Sequence, residues 1–281
     1  MTLAVTGATG HLGGLVIDHL IDRGTPTDEV VALVRDTAKA SDLVARGIEV
    51  RQFDYDRPEA SALAGVDSML LISGTAVGQR LAQHAAVVDA AVEAGVGRVV
   101  YTSAPRADAS INPVAPDHKA TEEYLGASGL PHVILRNGWY HENFLADLDA
   151  AAHTGQVLTA AGDGRVASAS RSDLAEAAAV VLAGEETGRT YTLTGDIAWS
   201  FDELAGDFAA VLEREVSAVR VSPEEKAAAL EGAGLDSGLV GFLVAVDDAI
   251  AAGELADRTG ELAALIGHPT APIADTLRTR A

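Results

Sequence analysis

The sequence predicts an α/β fold, in which a doubly wound parallel sheet is followed by a smaller, mainly helical lobe. Short β-branched runs alternate with helical patterns over the first half of the chain, and this alternation is typical of parallel strands joined by helices. The runs are mostly apolar, as expected for strands that are covered on both faces. After residue 137 strand candidates become sparse and helical patterns dominate.

Six runs account for the strands of the first half. They are LAVTG (residues 3–7), EVVALV (29–34), IEVRQF (48–53), SMLLIS (68–73), RVVYTS (98–103) and HVILR (132–136). Gly47 and Gly95 each end a helical pattern in the position of a C-cap. In the second half the strand candidates are GQVLTA, RTYTLTG and SAVRVS, and two capping boxes, Ser200 with Glu203 and Ser222 with Glu225, mark helix starts.

Composition and charge exclude several classes of protein. The chain has 281 residues, of which 48% are hydrophobic, so it can bury a sizeable core. Its net charge of −21 disfavours nucleic acid and anionic membranes as partners. The chain has no cysteine, no signal-peptide pattern, and no window near the roughly 18 apolar residues of a membrane helix. We therefore expect a cytoplasmic protein without membrane insertion, as a monomer or homodimer.

A glycine-rich turn directly follows the first strand. Residues 6–13 read TGATGHLG and open a helix, which is the context that a dinucleotide-binding fingerprint requires. Gly7 allows a tight turn, Gly10 lets the backbone approach a pyrophosphate, and Gly13 permits close packing of helix on strand. The helix N-terminus adds free N–H groups and about half a positive charge. The turn therefore predicts a nucleotide site in a Rossmann-type sheet.

The second strand run is followed by Arg35, where many ribose-binding proteins place a carboxylate. A carboxylate there accepts from the ribose 2′-OH, whereas an arginine accommodates a 2′-phosphate, to which it donates bidentate hydrogen bonds. Lys39 adds a second cation nearby. Asp36 supports the alternative, because it reaches the ribose if the loop is displaced by one residue. Together these residues favour NADP(H) over NAD(H).

Several runs together resemble one family. TGATGHLG, the basic end of the second strand, ILRNGWYHENF and AGDGRVASASRSDLA are similar to the NmrA-like, atypical short-chain dehydrogenase/reductases. Within that group the likeness is greatest to the bacterial type 2 NAD(P)H:quinone oxidoreductases, where ISGTAVGQR, YTS, RNGWYHEN and IGHPT have counterparts in the same order. The resemblance covers essentially the whole chain. It implies a Rossmann domain with a small C-terminal lobe capping the cleft, NADPH in that cleft, and hydride transfer to a quinone.

The resemblance also implies the residues of the site. It places the phosphates on Thr9, Gly10, His11 and Leu12, beside Gly7, and the 2′-phosphate on Arg35. It places Ser73, Gly74 and Thr75 along the adenosine and ribose, Asn137, Gly138, Trp139, Tyr140 and Glu142 on the nicotinamide side, and Arg171 near the cofactor. Tyr140 and Asn143 are the expected substrate contacts. Residues 1–136 then form the NAD(P)-binding domain, to which later segments are expected to return, and residues 137–281 form the smaller substrate lobe.

For some of these residues, and for Asp54, a structural alternative stays open. The aromatic residues of RNGWYHENF can belong to the core at a helix start. Arg171 can be an ordinary surface residue. Asp54, which follows the third strand, can accept a hydrogen bond from the adenine amino group or cap its own loop.

The catalytic pair of many short-chain dehydrogenases is missing. Those enzymes use a tyrosine proton donor with a lysine four residues later, but no tyrosine lies four residues before Lys119, and Tyr124 follows it. A positioned acid accelerates carbonyl reduction roughly 10²–10⁴-fold, whereas a quinone becomes aromatic on reduction and takes its proton from water. The absence favours a quinone substrate. Tyr140 and His118 remain weak candidates for a proton donor.

Two functions of different kinds are open from the sequence. The leading one is NADPH-dependent quinone reduction, with reduction of another activated double bond as a variant. The rival is an NmrA-like redox sensor that binds NADP and reports to a protein partner without turnover. The histidine spacing predicts no metal site, and the chain has neither a P-loop ending nor a GxSxG elbow.

Overall fold

The computed structural model describes residues 1–76 and 78–280. Val77, which belongs to the ISGTAVGQR run, and Ala281 lie outside the described residues. The strands are β1 (Leu3–Thr6), β2 (Val30–Val34), β3 (Glu49–Gln52), β4 (Ser68–Leu71), β5 (Arg98–Ser103), β6 (His132–Asn137), β7 (Gln156–Thr159), β8 (Arg165–Val166), β9 (Arg189–Leu193), β10 (Trp199–Ser200) and β11 (Ser217–Arg220). All six predicted strands of the first half are confirmed to within two residues at either end.

Helices connect these strands. The α-helices are α1 (His11–Asp22), α2 (Ser41–Ala45), α3 (Arg80–Ala94), α4 (Ala115–Ala127), α5 (Leu145–Thr154), α6 (Arg171–Ala183), α7 (Phe201–Leu212), α8 (Pro223–Gly232), α9 (Ser237–Ala251), α10 (Glu261–Ile266) and α11 (Ile273–Arg278). Four short 3₁₀ helices cover Thr27–Glu29, Thr37–Ala40, Ala60–Leu63 and His141–Phe144. Both predicted capping boxes are confirmed, since in each the serine side chain and the glutamate side chain bond the reciprocal backbone N–H.

The main sheet has seven strands in the order β3-β2-β1-β4-β5-β6-β9. The pairs from β3 through β6 are all parallel. The chain runs outward from β1 to β3 on one side and from β4 to β6 on the other, so the direction of winding reverses between β1 and β4. Ligands of such sheets bind at this reversal, beyond the carboxyl ends of the strands. The predicted α/β, doubly wound fold is confirmed.

The contacts divide the chain into two compact units. The first comprises Met1–Ala107, Pro116–Asn137 and Arg171–Thr192, and the second comprises Asp108–Ala115, Gly138–Ser170 and Leu193–Ala281. The first unit contains the sheet, with α1 packed against α6 and a fully buried core that includes Met69, Leu71 and Tyr101.

The second unit has its own apolar core and two small sheets. Phe144, Trp199, Phe201 and Phe208 are buried together in this core, and Trp199 contacts Phe144 and Phe201 edge-on. β10 pairs antiparallel with β8, and β11 pairs parallel with β7. Over the described part of the chain, no helix is both long enough and apolar enough to cross a membrane.

Candidate cofactor and active site

The glycine turn between β1 and α1 has the geometry that its spacing predicts. Gly7 adopts a φ of 57°, in the left-handed region that favours glycine, and the Gly10 N–H donates to the Gly7 carbonyl oxygen at 2.8 Å. A Cβ atom on Gly13 would lie 2.4 Å from the Gly7 oxygen, so the helix can approach the turn only because Gly13 has no side chain.

The start of α1 lies open next to this turn. Thr9, Gly10 and His11 are exposed, whereas the Leu12 side chain is buried in the core and leaves only its backbone for a ligand. Gly10 is the N-cap of α1, and within the described residues no side chain caps its first turn. The first N–H groups of a helix need a partner, and an anion provides one.

Arg35 lies immediately beyond β2 and is exposed. Its guanidinium makes no hydrogen bond or ion pair with any other described residue, and its backbone oxygen accepts from Gln52 Nε2 at 3.4 Å. Asp36, the alternative ribose contact, instead caps a 3₁₀ helix, where its Oδ1 accepts from the Ala38 N–H at 3.1 Å. Lys39 is exposed and likewise has no partner among the described residues. The two cations are thus available to a phosphate.

A closed ring of hydrogen bonds joins the carboxyl ends of β1 and β4. The Ile72 N–H donates to Thr6 Oγ1 at 2.9 Å, and the Tyr55 hydroxyl donates to the Ile72 carbonyl oxygen at 2.7 Å. Thr6 Oγ1 therefore donates to the Tyr55 oxygen, at 2.5 Å. Next to the ring, the Ser73 N–H donates to Thr102 Oγ1 at 2.8 Å. These bonds fix the chain where it leaves β4 at the reversal of the sheet.

Gly74, a predicted cofactor contact, is held at both ends of its backbone by α3. Its N–H donates to His84 Nε2 at 3.0 Å, and its carbonyl oxygen accepts from Arg80 Nε at 2.6 Å. His84 Nδ1 then donates to Thr121 Oγ1 at 3.0 Å, because the Thr121 hydroxyl itself donates to a backbone oxygen. This arrangement requires neutral His84, and burial lowers the pKa of His84 to about 4, helped by the Arg80 charge. Thr75 is exposed.

Sequence reasoning missed Tyr55, Arg80 and His84. The four-residue spacing of Arg80 and His84 places both on one face of a helix, but their common target is a backbone group six or more residues away. No residue pattern identifies such a target. The spacing of Arg80 and His84 is therefore visible in the sequence, but its purpose can be recognised only from the fold.

Asn137, at the end of β6, has a buried side chain whose amide is unsatisfied. Only 6% of the residue is exposed, and neither Oδ1 nor Nδ2 has a hydrogen-bond partner within the described residues. A buried amide without a partner costs about 1–3 kcal/mol. Its position at the carboxyl end of a strand of the parallel sheet agrees with a ligand contact.

Gly138, which begins the Gly138–Ser170 segment of the second unit, leaves no space for a side chain. Its N–H donates to the Leu193 oxygen at 2.7 Å, and a Cβ atom would lie 2.9 Å from that oxygen. Trp139 packs against the apolar core of its unit, as in the alternative interpretation of the aromatic segment. Tyr140 pairs with Ala169 in an isolated bridge and is half-buried.

The remaining predicted residues are placed as follows. Glu142 is half-buried and Asn143 is exposed, both in the 3₁₀ helix before α5. Arg171 is half-buried at the first position of α6. Asp54 caps its own loop by accepting from the Asp56 N–H at 3.1 Å. The cofactor contacts of Glu142, Arg171 and Asp54 and the substrate contact of Asn143 stay predictions.

The structure does not support His118 as a charged proton donor. His118 Nδ1 and the Tyr101 hydroxyl are hydrogen-bonded at 2.8 Å deep in the first unit. Burial lowers the pKa of His118 to about 3, so at neutral pH it is not an imidazolium. Lys119 is exposed and paired with Glu123, and Tyr124 donates to Asp89 at 2.8 Å. The described residues thus contain no Tyr–Lys pair of the usual kind.

The side chain of Ser103, at the end of β5, is likewise used in a hydrogen bond within the protein. Its hydroxyl donates to Glu122 Oε1 at 2.5 Å, and Glu122 also accepts from Arg136 Nη2 at 2.7 Å. Among the described residues, no three histidine, aspartate or glutamate side chains are grouped as metal ligands.

Fold and site together define an NAD(P)-binding oxidoreductase of the Rossmann type: a reversed parallel sheet, an open glycine turn, and unpaired cations after the second strand. A model of the family described as "NAD(P)H-binding" matches residues 7–185. The chain belongs to this NAD(P)H-binding family and, within it, to the NmrA-like proteins, as the sequence resemblance predicts. An NmrA-like family domain-containing oxidoreductase of Aspergillus flavus is 32% identical over 99% of this chain and 94% of its own length.

Two bacterial reductases are more similar to this chain than the Aspergillus flavus protein is. Quinone oxidoreductase 2 of Escherichia coli strain K12 is 45% identical over 98% of this chain and 97% of its own. The crystal structure of an E. coli NADPH-dependent quinone oxidoreductase complexed with NADPH matches with a TM-score of 0.95, 43% identity and 99% coverage of both chains. Triphenylmethane reductase of Citrobacter sp., complexed with NADP(H), matches with a TM-score of 0.94, 40% identity and full coverage of both chains.

Proposed function

We propose that this chain is an NADPH-dependent oxidoreductase that transfers hydride to a quinone. The observation that carries the proposal is the 45% identity, over 98% of the chain, with an E. coli quinone oxidoreductase. A related E. coli enzyme has been solved with NADPH bound. The sequence predicts the same activity, and the comparisons support it.

The residues present fit NADPH. The open first turn of α1 and the absence of side chains at Gly10 and Gly13 suit a diphosphate. The unpaired Arg35 and Lys39 suit a 2′-phosphate, and Asp36 is occupied by its own cap. The buried amide of Asn137 has donor and acceptor atoms that a bound ligand would satisfy. When bound, NADPH supplies the hydride.

The protein's own share of the reaction is binding and orientation. His84 and Arg80 hold the Gly74 backbone, and thereby fix Ser73 and Thr75 on either side of it. The sequence resemblance assigns Gly138, Trp139, Tyr140, Glu142 and Asn143 to the nicotinamide and quinone side. Because His118 is neutral and the Tyr–Lys pair is missing among the described residues, solvent water protonates the reduced quinone oxygen. A quinone tolerates this better than a simple carbonyl does.

We also propose that the protein acts in the cytoplasm as a monomer or homodimer. The supporting observations are the lack of cysteine and the net charge of −21. Light scattering on the purified protein measures the oligomeric state, and a stable trimer or larger assembly would contradict that part.

Steady-state kinetics test the proposed activity. We expect purified protein to oxidise NADPH, followed by its absorbance, when a benzoquinone or naphthoquinone is added. The matched control is the Arg35→Asp variant, which should need much more NADPH to reach the same rate. Tight NADP⁺ binding without turnover over a panel of both quinone classes would contradict the proposal and support the redox sensor instead.

A further inference from the structure

The second unit contains a cavity of about 390 Å³ that none of the predicted cofactor residues lines. Ligand pockets in proteins have volumes of roughly 300–1,000 Å³. Trp199, Ile273 and Pro272 form apolar walls, and Ile197, which is 57% exposed, lies at the rim. Of the RNGWYHEN run only His141 lines the cavity.

Buried hydrogen bonds hold one wall in place. The Trp199 indole N–H donates to Ser168 Oγ at 2.9 Å. His141 Nε2 donates to the Ser168 carbonyl oxygen at 3.0 Å, so its Nδ1 accepts from Thr276 Oγ1 at 3.2 Å. Burial lowers the pKa of His141 to about 4. The imidazole is therefore neutral at physiological pH and contributes no positive charge.

Thr270, the last residue of the IGHPT run, also lines the cavity and is not among the predicted cofactor contacts. The Thr270 N–H donates to Asp196 Oδ2 at 2.8 Å, and the Asp196 N–H donates to Thr270 Oγ1 at 2.9 Å. This reciprocal pair fixes the loop that leads into α11. The cavity is thus shaped in the free protein, and a ligand need not order it.

The charges that line the cavity are negative. The Glu203 carboxylate is already used, because its Oε2 accepts from Arg165 Nη2 at 2.6 Å and from the Ser200 N–H at 2.7 Å. Asp207 is half-buried and makes no hydrogen bond or ion pair with another described residue. The positive charge that acts on Asp207 is that of Arg278, which is itself paired with Asp275 at 2.5 Å.

The environment of Asp207 disfavours its ionised form. Burial raises the pKa of the Asp207 carboxyl, Arg278 opposes that shift, and Glu203 adds to it. A cation in the cavity would relieve this cost, since an opposite charge within a few ångströms favours the ionised carboxylate. Apolar walls with an aromatic face suit the body of such a ligand.

We infer that the cavity lined by Trp199 and Asp207 is a second ligand site, and that it binds a small arylalkylamine, an aromatic ring with an alkylammonium group, in its cationic form. The ammonium group pairs with Asp207, and the ring lies against Trp199, Ile273 and Pro272. The site is independent of the proposed reductase activity, because it shares no residue with the predicted cofactor contacts.

Two-dimensional ¹H–¹⁵N NMR on the full chain, with NADP⁺ present, tests this inference. The chain has two tryptophans, so the Trp199 indole signal is readily assigned and reports from the cavity wall. Benzylamine at neutral pH should shift this signal saturably. Benzyl alcohol, which has the same shape without the charge, should bind about tenfold or more weakly, as expected for loss of a charged hydrogen bond.

Three variants separate the site from non-specific binding of amines. Asp207→Asn should weaken benzylamine about tenfold and leave benzyl alcohol unchanged. Glu213→Gln, an equal change of charge at the exposed end of α7, is the matched control and should change neither. Ile197→Arg places a cation at the rim without touching the core and should abolish benzylamine binding. Equal binding of amine and alcohol, no shift at Trp199, or full affinity in Asp207→Asn would overturn the inference.

Discussion

Two groups of buried polar side chains differ in whether the fold satisfies them. At the carboxyl edge of the main sheet, both polar atoms of the Asn137 side chain lack a partner within the described residues. In the second unit, every ring nitrogen of Trp199 and His141 is hydrogen-bonded, to Ser168 Oγ, to the Ser168 carbonyl oxygen and to Thr276 Oγ1. An unpaired buried group costs about 1–3 kcal/mol. This difference supports the prediction that Asn137 contacts a ligand, whereas the second group stabilises the fold.

We expect the largest effect on cofactor binding from a substitution in the glycine turn. Gly13→Ala places a Cβ atom 2.4 Å from the Gly7 oxygen, which forces the turn and helix apart. Overpacking of this kind costs about 1–3 kcal/mol, so we expect NADP⁺ affinity to fall by roughly 5- to 150-fold. Isothermal titration calorimetry measures this directly.

Gly14→Ala is the matched control for that variant. Its Cβ atom would lie 3.7 Å from the Ala8 oxygen, an ordinary contact. An alanine there should preserve binding and raise stability by about 0.5–1 kcal/mol, as for other helix glycines. Equal NADP⁺ affinity in the two variants would show that the turn does not bind the cofactor.

Variants of Arg35 test whether the protein prefers NADPH over NADH. A hydrogen bond to a charged group contributes about 1.5–3 kcal/mol, so Arg35→Ala should weaken NADPH binding by roughly 10- to 100-fold. Because we expect Lys39 to share the phosphate, the alanine variant should lie at the lower end of this range, whereas Arg35→Asp adds repulsion and should lose more. NADH binding should hardly change. Wild-type protein that binds NADPH and NADH equally well would refute the assigned role of Arg35.

Asn137→Leu and Ser168→Ala should have opposite effects on stability and binding. Leucine removes an amide that the free chain leaves unpaired, so we expect stability to rise by about 1 kcal/mol and NADP⁺ affinity to fall about tenfold. Ser168→Ala leaves the buried Trp199 indole N–H without its acceptor and should lower stability by about 1–3 kcal/mol, with affinity unchanged. Urea unfolding and calorimetry on the same samples measure both. Loss of stability in Asn137→Leu would contradict the distinction between the two groups.

His84 is expected to produce a smaller, pH-dependent effect. Its pKa is about 4 in the folded chain and about 6.5 when unfolded, so the unfolded state binds more protons between these values. Stability contributed by neutral His84 is therefore lost as pH falls from about 6.5 to about 4, by at most about 1.4 kcal/mol per pH unit. Asp147, whose pKa burial raises to about 6, acts in the opposite direction.

The contribution of His84 is therefore measured as the difference in the pH dependence of stability between wild type and a variant, and not from wild type alone. We compare urea unfolding of wild type and His84→Gln at several pH values, with exposed His153→Gln as the control. The His84 variant should have the shallower dependence below pH 6.5. Identical slopes in wild type and His84→Gln would remove His84 from this role.

Local patterns were sufficient to predict most of the fold. Each strand of the first half is a short β-branched run, each capping box is four residues long, and the glycine turn is contiguous. The same holds for Arg35, which follows the end of a strand, and for the family, which the comparisons confirm. Because these features depend on residues that are close together in the sequence, they can be predicted from it.

The features that were missed depend on partners distant in sequence. The ring of Thr6, Tyr55 and Ile72 joins segments 17 to 66 residues apart. His141, which the sequence places beside the predicted site residues, instead bonds Ser168 and Thr276. Trp139 packs against a core, an alternative that the sequence left open beside a ligand contact. Sequence alone cannot tell a satisfied polar group from an unsatisfied one.

Hydride transfer itself is most directly tested in a single turnover with C4-deuterated NADPH. Protein saturated with the labelled cofactor is mixed with a naphthoquinone, and the loss of NADPH absorbance is followed until one equivalent has reacted. The account predicts that one of the two C4 epimers of the label slows this step and that one quinol forms per NADPH. Cofactor that stays reduced in the presence of excess quinone, or equal rates with both epimers and unlabelled NADPH, would contradict it.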